Sequence, residues 1–180
     1  MSWVDNLEKS NKAFINLVWP VIKKSCGNGN IKPVEIIKDN DIAKDLDVLC
    51  GIDIWQTIIG KGSRGIASRV QFGPKNWKTF TVRNFRTSGY KTELQKRLDA
   101  INSGGRYIYP YLTCQAYVSK DESRLLGCAL AKTKDIYNAI EEGKFVNRTN
   151  GDDGTGFIAV RFEDVTNSRI FNFDKDGNNG

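Results

Sequence analysis

A lone carboxylate, Asp53, sits in the apolar run Gly51-Ile52-Asp53-Ile54-Trp55, and a polar, strand-like run, Ala67-Ser68-Arg69-Val70-Gln71-Phe72, follows it. Side chains alternate along a strand, so Asp53 points away from its two isoleucines, and Arg69 and Gln71, two residues apart, share a face. A mid-strand Asp offers a hard oxygen ligand on a rigid element, which a cation such as Mg²⁺ requires. If the two strands pair, the three side chains can converge. The Gln71 amide oxygen then joins Asp53 as a metal ligand, and Arg69 can steady a phosphate through two parallel hydrogen bonds. That set describes a metal-dependent phosphodiester site with Asp53, Gln71 and Arg69 as its catalytic residues. The same residues also describe two ordinary strands, each with one wet face.

Charge points to a polyanionic partner. Residues 60–106 hold eleven bases and two acids, Glu93 and Asp99, a net +9 within a chain of net +6. Residues 133–180 carry −3. A basic region between nearly neutral flanks is the electrostatic footprint of a nucleic-acid surface. Aromatics are interleaved with the bases, and Arg83, Arg86, Lys91, Lys96 and Arg97 are the expected phosphate contacts. Trp77 and Tyr90 are the expected exposed aromatics, able to stack on unpaired bases, whereas Phe80 is expected in the core.

Composition removes other chemistries. The chain has no histidine, and its four cysteines, Cys26, Cys50, Cys114 and Cys128, form no C-x-x-C pair. Zinc sites and histidine-based general-base catalysis are therefore not expected. Carboxylates, lysine, tyrosine, an unusual cysteine or a metal must carry any reaction, and the cysteines read as buried thiols of a reducing compartment. No apolar run reaches a membrane span, and Met1-Ser2-Trp3-Val4-Asp5 lacks the start of a secretory signal. A cytoplasmic protein with no membrane partner is expected.

The elements that must position these residues follow from periodicity. Apolar residues at helical spacing predict a helix over 4–24, kinked or split at Pro20. Residues 31–37 read as a weak strand, and residues 51–59, 66–72 and 78–85 as three strands of an antiparallel meander. The glycine-rich Gly60-Lys61-Gly62-Ser63-Arg64-Gly65 reads as a hairpin connection, since it lacks the spacing of a phosphate-binding loop. Gly151-Asp152-Asp153-Gly154-Thr155-Gly156 likewise reads as a turn. Thr92-x-x-Gln95 predicts a capping box opening a helix with an apolar stripe at Leu94, Leu98 and Ile101. Strands over 109–118 and 125–131 form a hairpin, Thr133 caps a further helix to Glu142, and residues 157–162 form the last strand. The expected architecture is one α+β domain over residues 1–172, a mixed central sheet flanked by helices, with a flexible tail at 173–180.

This order, with an Asp on the second core strand and a polar pair on the third, resembles the PD-(D/E)xK nuclease superfamily. The resemblance implies a restriction-endonuclease-like αβββαβ core over roughly residues 1–118, extended by a C-terminal hairpin and helix. Gly51-Ile52-Asp53 is similar to the Asp element, and Arg69-Val70-Gln71-Phe72-Gly73 to the second element. Gln71 stands where the family most often has Glu, and Gly73 where it has Lys. The resemblance implies a further acid, with Glu8, Asp45 or Asp47 as options. It also implies a displaced base, with Arg69 first, then Lys78 or Lys96, the last on the helix that carries Glu93. Three functions are compatible with these readings. One is a Mg²⁺-dependent nuclease acting on DNA or RNA. The second is a catalytically inactive binding module on the same fold. The third is an inhibitor or assembly protein whose basic face meets an acidic protein partner.

Overall fold

Phe14, Val18 and Ile22 recur every four residues and are fully buried, which gives the N-terminal helix its packing face. The computed structural model describes residues 3–34, 50–86, 89–151 and 154–173. It begins with α1 (Trp3–Ala13), a π-helical stretch (Phe14–Val18) and the short α2 (Trp19–Ile22). Pro20 has no N–H to donate to the preceding turn, and the helix widens into the π stretch just before it. The break expected at Pro20 takes this form.

Two sheets follow. The larger is mixed and six-stranded, in the order β1 (Asn30–Pro33), β2 (Ile54–Ile58), β3 (Gly62–Gly73), β5 (Leu112–Ser119), β6 (Leu125–Lys132) and β9 (Arg169–Asn172). β2 and β3 form the expected hairpin, turned at Ile59-Gly60-Lys61, where Gly60 takes φ +73°. β3 and β5 run parallel, with α3 (Glu93–Asn102) in the connection between them. The smaller sheet has the order β4 (Thr79–Phe85), β8 (Gly156–Arg161) and β7 (Val146–Thr149). Helix α4 (Thr133–Glu141) follows β6, and a single 3-10 turn (Phe162–Asp164) follows β8.

The antiparallel meander expected over residues 51–85 is therefore corrected at its third strand. β4 leaves the larger sheet and pairs with β8. The turn at 73–78 explains the departure. Asn76 is buried there, accepts from the Lys78 backbone N–H at 3.0 Å and donates to the Asn172 side chain at 3.1 Å. That anchoring leads the chain away from the β3 ladder. Phe80 and Val82 then bury against Ile158, Val160 and the α4 residues Ile136 and Ile140. Residues Val146–Thr149 and Arg169–Asn172, not anticipated as strands, are four residues each and almost wholly exposed, so no apolar period marks them. Lys132, one residue earlier than expected, occupies the N-cap of α4.

The faces of the larger sheet are divided by chemistry. Ile54, Ile66, Cys114, Ala116 and Cys128 meet the N-terminal helical segment in one apolar cluster. Burial pushes the Cys128 thiol up to about 12 and that of Cys26 up to about 11, so both stay protonated and inert, as expected of buried thiols. The other face packs the second cluster around Tyr117, Phe80 and Phe162, the two phenyl rings meeting edge to face at 4.8 Å. Beside that cluster the same face carries Asp53, Arg69, Gln71 and Gln115, and here the two layers leave a polar gap. No helix among the described residues is long and apolar enough to cross a membrane.

Candidate functional site

The gap contains a hollow of about 240 Å³ whose walls include Asp53, Arg69, Arg86, Glu93, Lys96 and Arg97. Asp53 reaches it because of a local device at Gly51. That residue has φ +57°, and a Cβ there would collide with the Arg97 guanidinium. Arg97, 6% exposed, donates to the carbonyl oxygens of Cys50 and Gly51, the second at 2.9 Å. The chain bends around this cation and enters β2 with Asp53 bonded through its backbone N–H to the Ile66 carbonyl at 3.2 Å. The Asp53 carboxylate is held by the Ser68 backbone N–H, which donates to Oδ2 at 2.5 Å. Gly51→Ala should therefore lower stability by about 1–3 kcal/mol, from positive-φ strain and displacement of Arg97. Urea unfolding reads this directly, and an unchanged midpoint would mean that the Gly51 bend is not required.

Helix α3 aims the other charged groups. The expected capping box is present: Thr92 Oγ1 accepts from the Gln95 N–H at 3.3 Å, and Gln95 Oε1 accepts from the Thr92 N–H at 2.8 Å. This fixes the first turn, with Glu93 as its first residue. Arg69 on β3 donates to Glu93 Oε2 at 2.6 Å, and to the Thr81 carbonyl and hydroxyl oxygens at 2.8 and 3.1 Å. The Arg83 backbone N–H also donates to Glu93 Oε2, at 3.2 Å. Both of these bonds fall on Oε2. Buried Gln115 on β5 ties the layers together, accepting from Thr81 and donating to Gln71 Oε1 at 3.2 Å.

The electrostatics follow from these contacts. Burial pushes the Glu93 carboxyl up, but Arg69, Arg97 and the Arg83 N–H together outweigh it and hold the group below its ordinary value of 4.5. Glu93 in turn raises the Arg69 guanidinium. A carboxylate depressed in the folded state contributes stability above its unfolded value and loses it as pH falls through the folded value. Wild-type stability should thus fall with acid below pH 4.5, and Glu93→Gln should flatten that part of the profile. Chemical denaturation at stepped pH checks this, and identical slopes would remove Glu93 from the linkage. Two buried polar atoms near this group, Arg86 Nε and the Tyr137 hydroxyl, have no hydrogen-bond partner. Tyr137 is pushed far up by burial and by Glu93, so it remains a protonated donor.

The residues singled out in the sequence are distributed as follows. Asp53 and Arg69 share the hollow, whereas Gln71 does not line it. Gln71 lines a second, adjoining hollow of about 150 Å³, together with Arg69, Thr81 and Arg83. Arg86, Lys96 and Arg97 face the first hollow, but Arg97 is committed to two backbone carbonyls and acts as a positioning residue. Lys91 lines neither and pairs with Asp99 at 2.6 Å on the exposed flank of α3. Trp77 and Tyr90 are exposed, at 59% and 77%, and Phe80 is buried. Trp77 carries Lys75 over its ring at 3.8 Å. Lys78 is exposed with φ +55° and lines neither hollow. Glu8 is exposed on α1, whose neighbour Lys9 sits over the Phe72 ring. Asp45 and Asp47 lie outside the described residues. The carboxylate of the hollow that the sequence analysis does not single out is Glu93. Its signal is there: one of two acids within the +9 stretch, at the first turn of a capped helix.

Among the described residues no three His, Cys, Asp or Glu side chains cluster as a metal cage. Asp53 and Glu93 are the carboxylates of the hollow, set among four cations. Comparison with protein-family models, with curated proteins and with solved structures returns no match for this chain.

Proposed function

We propose that this chain is a nucleic-acid-binding phosphodiesterase, a metal-dependent nuclease on a restriction-endonuclease-like core. The observation that carries the reading is the meeting of Asp53, Glu93 and Lys96 at one hollow. The strand motif lacks an acid at Gln71 and a lysine at Gly73, and α3 supplies both kinds of group to the same place. The order helix, three strands, helix, parallel strand supports the core assignment, with β4 and the smaller sheet as an elaboration.

The donor set suits Mg²⁺, which is commonly held by one or two carboxylates together with substrate phosphates rather than by a full protein cage. Asp53 and Glu93 would hold it, and when bound it supplies charge neutralisation at the phosphate and an acidified water. The chain's own residues do the rest. The Ser68 N–H and Arg69 fix the two carboxylates, Lys96 neutralises phosphate charge, and Arg86 Nε has a hydrogen bond to give to a phosphate oxygen. Four cations against two carboxylates leave the hollow two positive charges in excess. That balance attracts a phosphodiester and opposes a lone cation, so metal and nucleic acid should each strengthen the other's binding. The same excess favours a second reading, in which the site binds phosphate without cutting.

The test is incubation with labelled single- and double-stranded DNA and RNA in Mg²⁺, Mn²⁺ or EDTA. Fragments that require metal are expected. Binding without cutting in every metal would select the second reading. Failure to bind any of them at low salt, where phosphate contacts are strongest, would overturn both.

A further inference from the structure

We infer that the adjoining hollow seats the next nucleotide of a single-stranded chain, so that the site takes unpaired rather than duplex nucleic acid. The inference rests on the phosphodiester reading of the first hollow and adds the substrate class. The two hollows share Arg69 and Thr81, so a backbone leaving the first enters the second directly. Among the described residues the lining of the second contains Arg69 and Arg83 and no carboxylate. Gln71, Thr81, Asn150 and Thr155 add neutral hydrogen-bonding groups, the inventory that a phosphate and sugar require.

The surroundings argue for a single strand. The hollow lies between β3 of the larger sheet and the β4–β8 ladder of the smaller one, and its volume of about 150 Å³ suits a phosphate and sugar. Gly156 lines it and lies opposite Phe85 in that ladder. Phe85 is an exposed aromatic (53%) beside the hollow, a platform for an unpaired base. The ladder slips between Arg83 and Phe85, at Asn84, which sets Phe85 directly opposite Gly156.

The experiment is binding, in EDTA, of fluorescein-labelled single strands of about 12 nucleotides, DNA and RNA, and of the matching duplexes, at several salt concentrations. Single strands should bind at least about tenfold more tightly than duplex. Arg83→Gln should weaken single-strand binding about tenfold and reduce the slope of log affinity against log salt by about 0.7, one phosphate contact. Arg83→Lys should retain the slope, and Phe85→Ala should weaken binding without changing it. These replacements keep the Arg83 backbone N–H that serves Glu93. If Arg83→Gln fails to fold, Phe85→Ala and Asn150→Ala carry the comparison. Equal or tighter duplex binding overturns the inference. So does single-strand binding that is weakened by Lys96→Ala yet indifferent to Arg83 and Phe85. No binding of wild type to any probe would instead strike the phosphodiester reading beneath it.

Discussion

Asp53→Asn should reduce the metal-dependent cleavage rate by about 10²–10³-fold, the usual scale for removing one group that stabilises charge in the transition state. Asn is nearly the same shape, and its amide oxygen can still accept from the Ser68 N–H, so the bend into β2 survives. What is lost is one negative charge on the wall of the hollow. Oligonucleotide affinity in EDTA should then be unchanged or slightly tighter, because an anion meets one repulsive group fewer. The split between cleavage and binding is the informative part. Parallel loss of both would mean that Asp53 shapes the pocket rather than serving its chemistry. Cleavage at the wild-type rate would remove Asp53 from the site.

Arg69→Leu is the second large effect, and it falls on stability. The guanidinium joins three elements: β3, the Thr81 backbone on β4 and the first turn of α3. Removing one partner of a fully buried ion pair costs about 3–5 kcal/mol, because the other charge stays desolvated. Arg69 and Glu93 are each partly exposed, at 34% and 24%, so solvent screening reduces the figure to about 2 kcal/mol. For a chain of this size that is about 4–8 °C in Tm. The double replacement Arg69→Leu with Glu93→Leu should recover part of the loss, since no carboxylate is then left unpaired. A double variant no more stable than Arg69→Leu would contradict the assignment of the cost to Glu93.

The parts of the fold legible in the sequence are those where a local rule and the tertiary structure agree. The capping box at Thr92 and Gln95, the β2–β3 hairpin and the helix after Lys132 all depend on neighbours in the chain. So does the alternation that sends Ile54 and Ile66 to one face and Asp53 and Arg69 to the other. The departure of β4 was not legible, because it depends on Asn76 meeting Asn172, nearly a hundred residues away. β7 and β9 were missed for a related reason: their stability comes from ladder pairing to longer strands, and their side chains are mostly in water.

The site divides the same way. Asp53 was visible because a carboxylate between isoleucines is out of keeping with its run. Gln71 stands out in the sequence because strand alternation puts it on the face of Arg69, but alternation fixes a face and not a distance along it. Two residues further along β3 is enough to move Gln71 into the next hollow. Glu93 is forty residues from Asp53 in sequence, and only the crossover through α3 brings it to the same wall. Arg97 shows the converse: a basic residue in a basic stretch reads as surface, yet its guanidinium is buried on the Cys50 and Gly51 carbonyls.

The most direct measurement of the central claim, that Glu93 rather than Gln71 is the partner of Asp53 in holding the metal, compares two variants under single-turnover conditions with saturating protein and Mg²⁺. Glu93→Gln should lose about 100-fold or more in cleavage rate, whereas Gln71→Ala should remain within about threefold of wild type. Circular dichroism on the same samples confirms that both are folded. The reverse order, with Gln71→Ala inactive and Glu93→Gln active, would contradict the account.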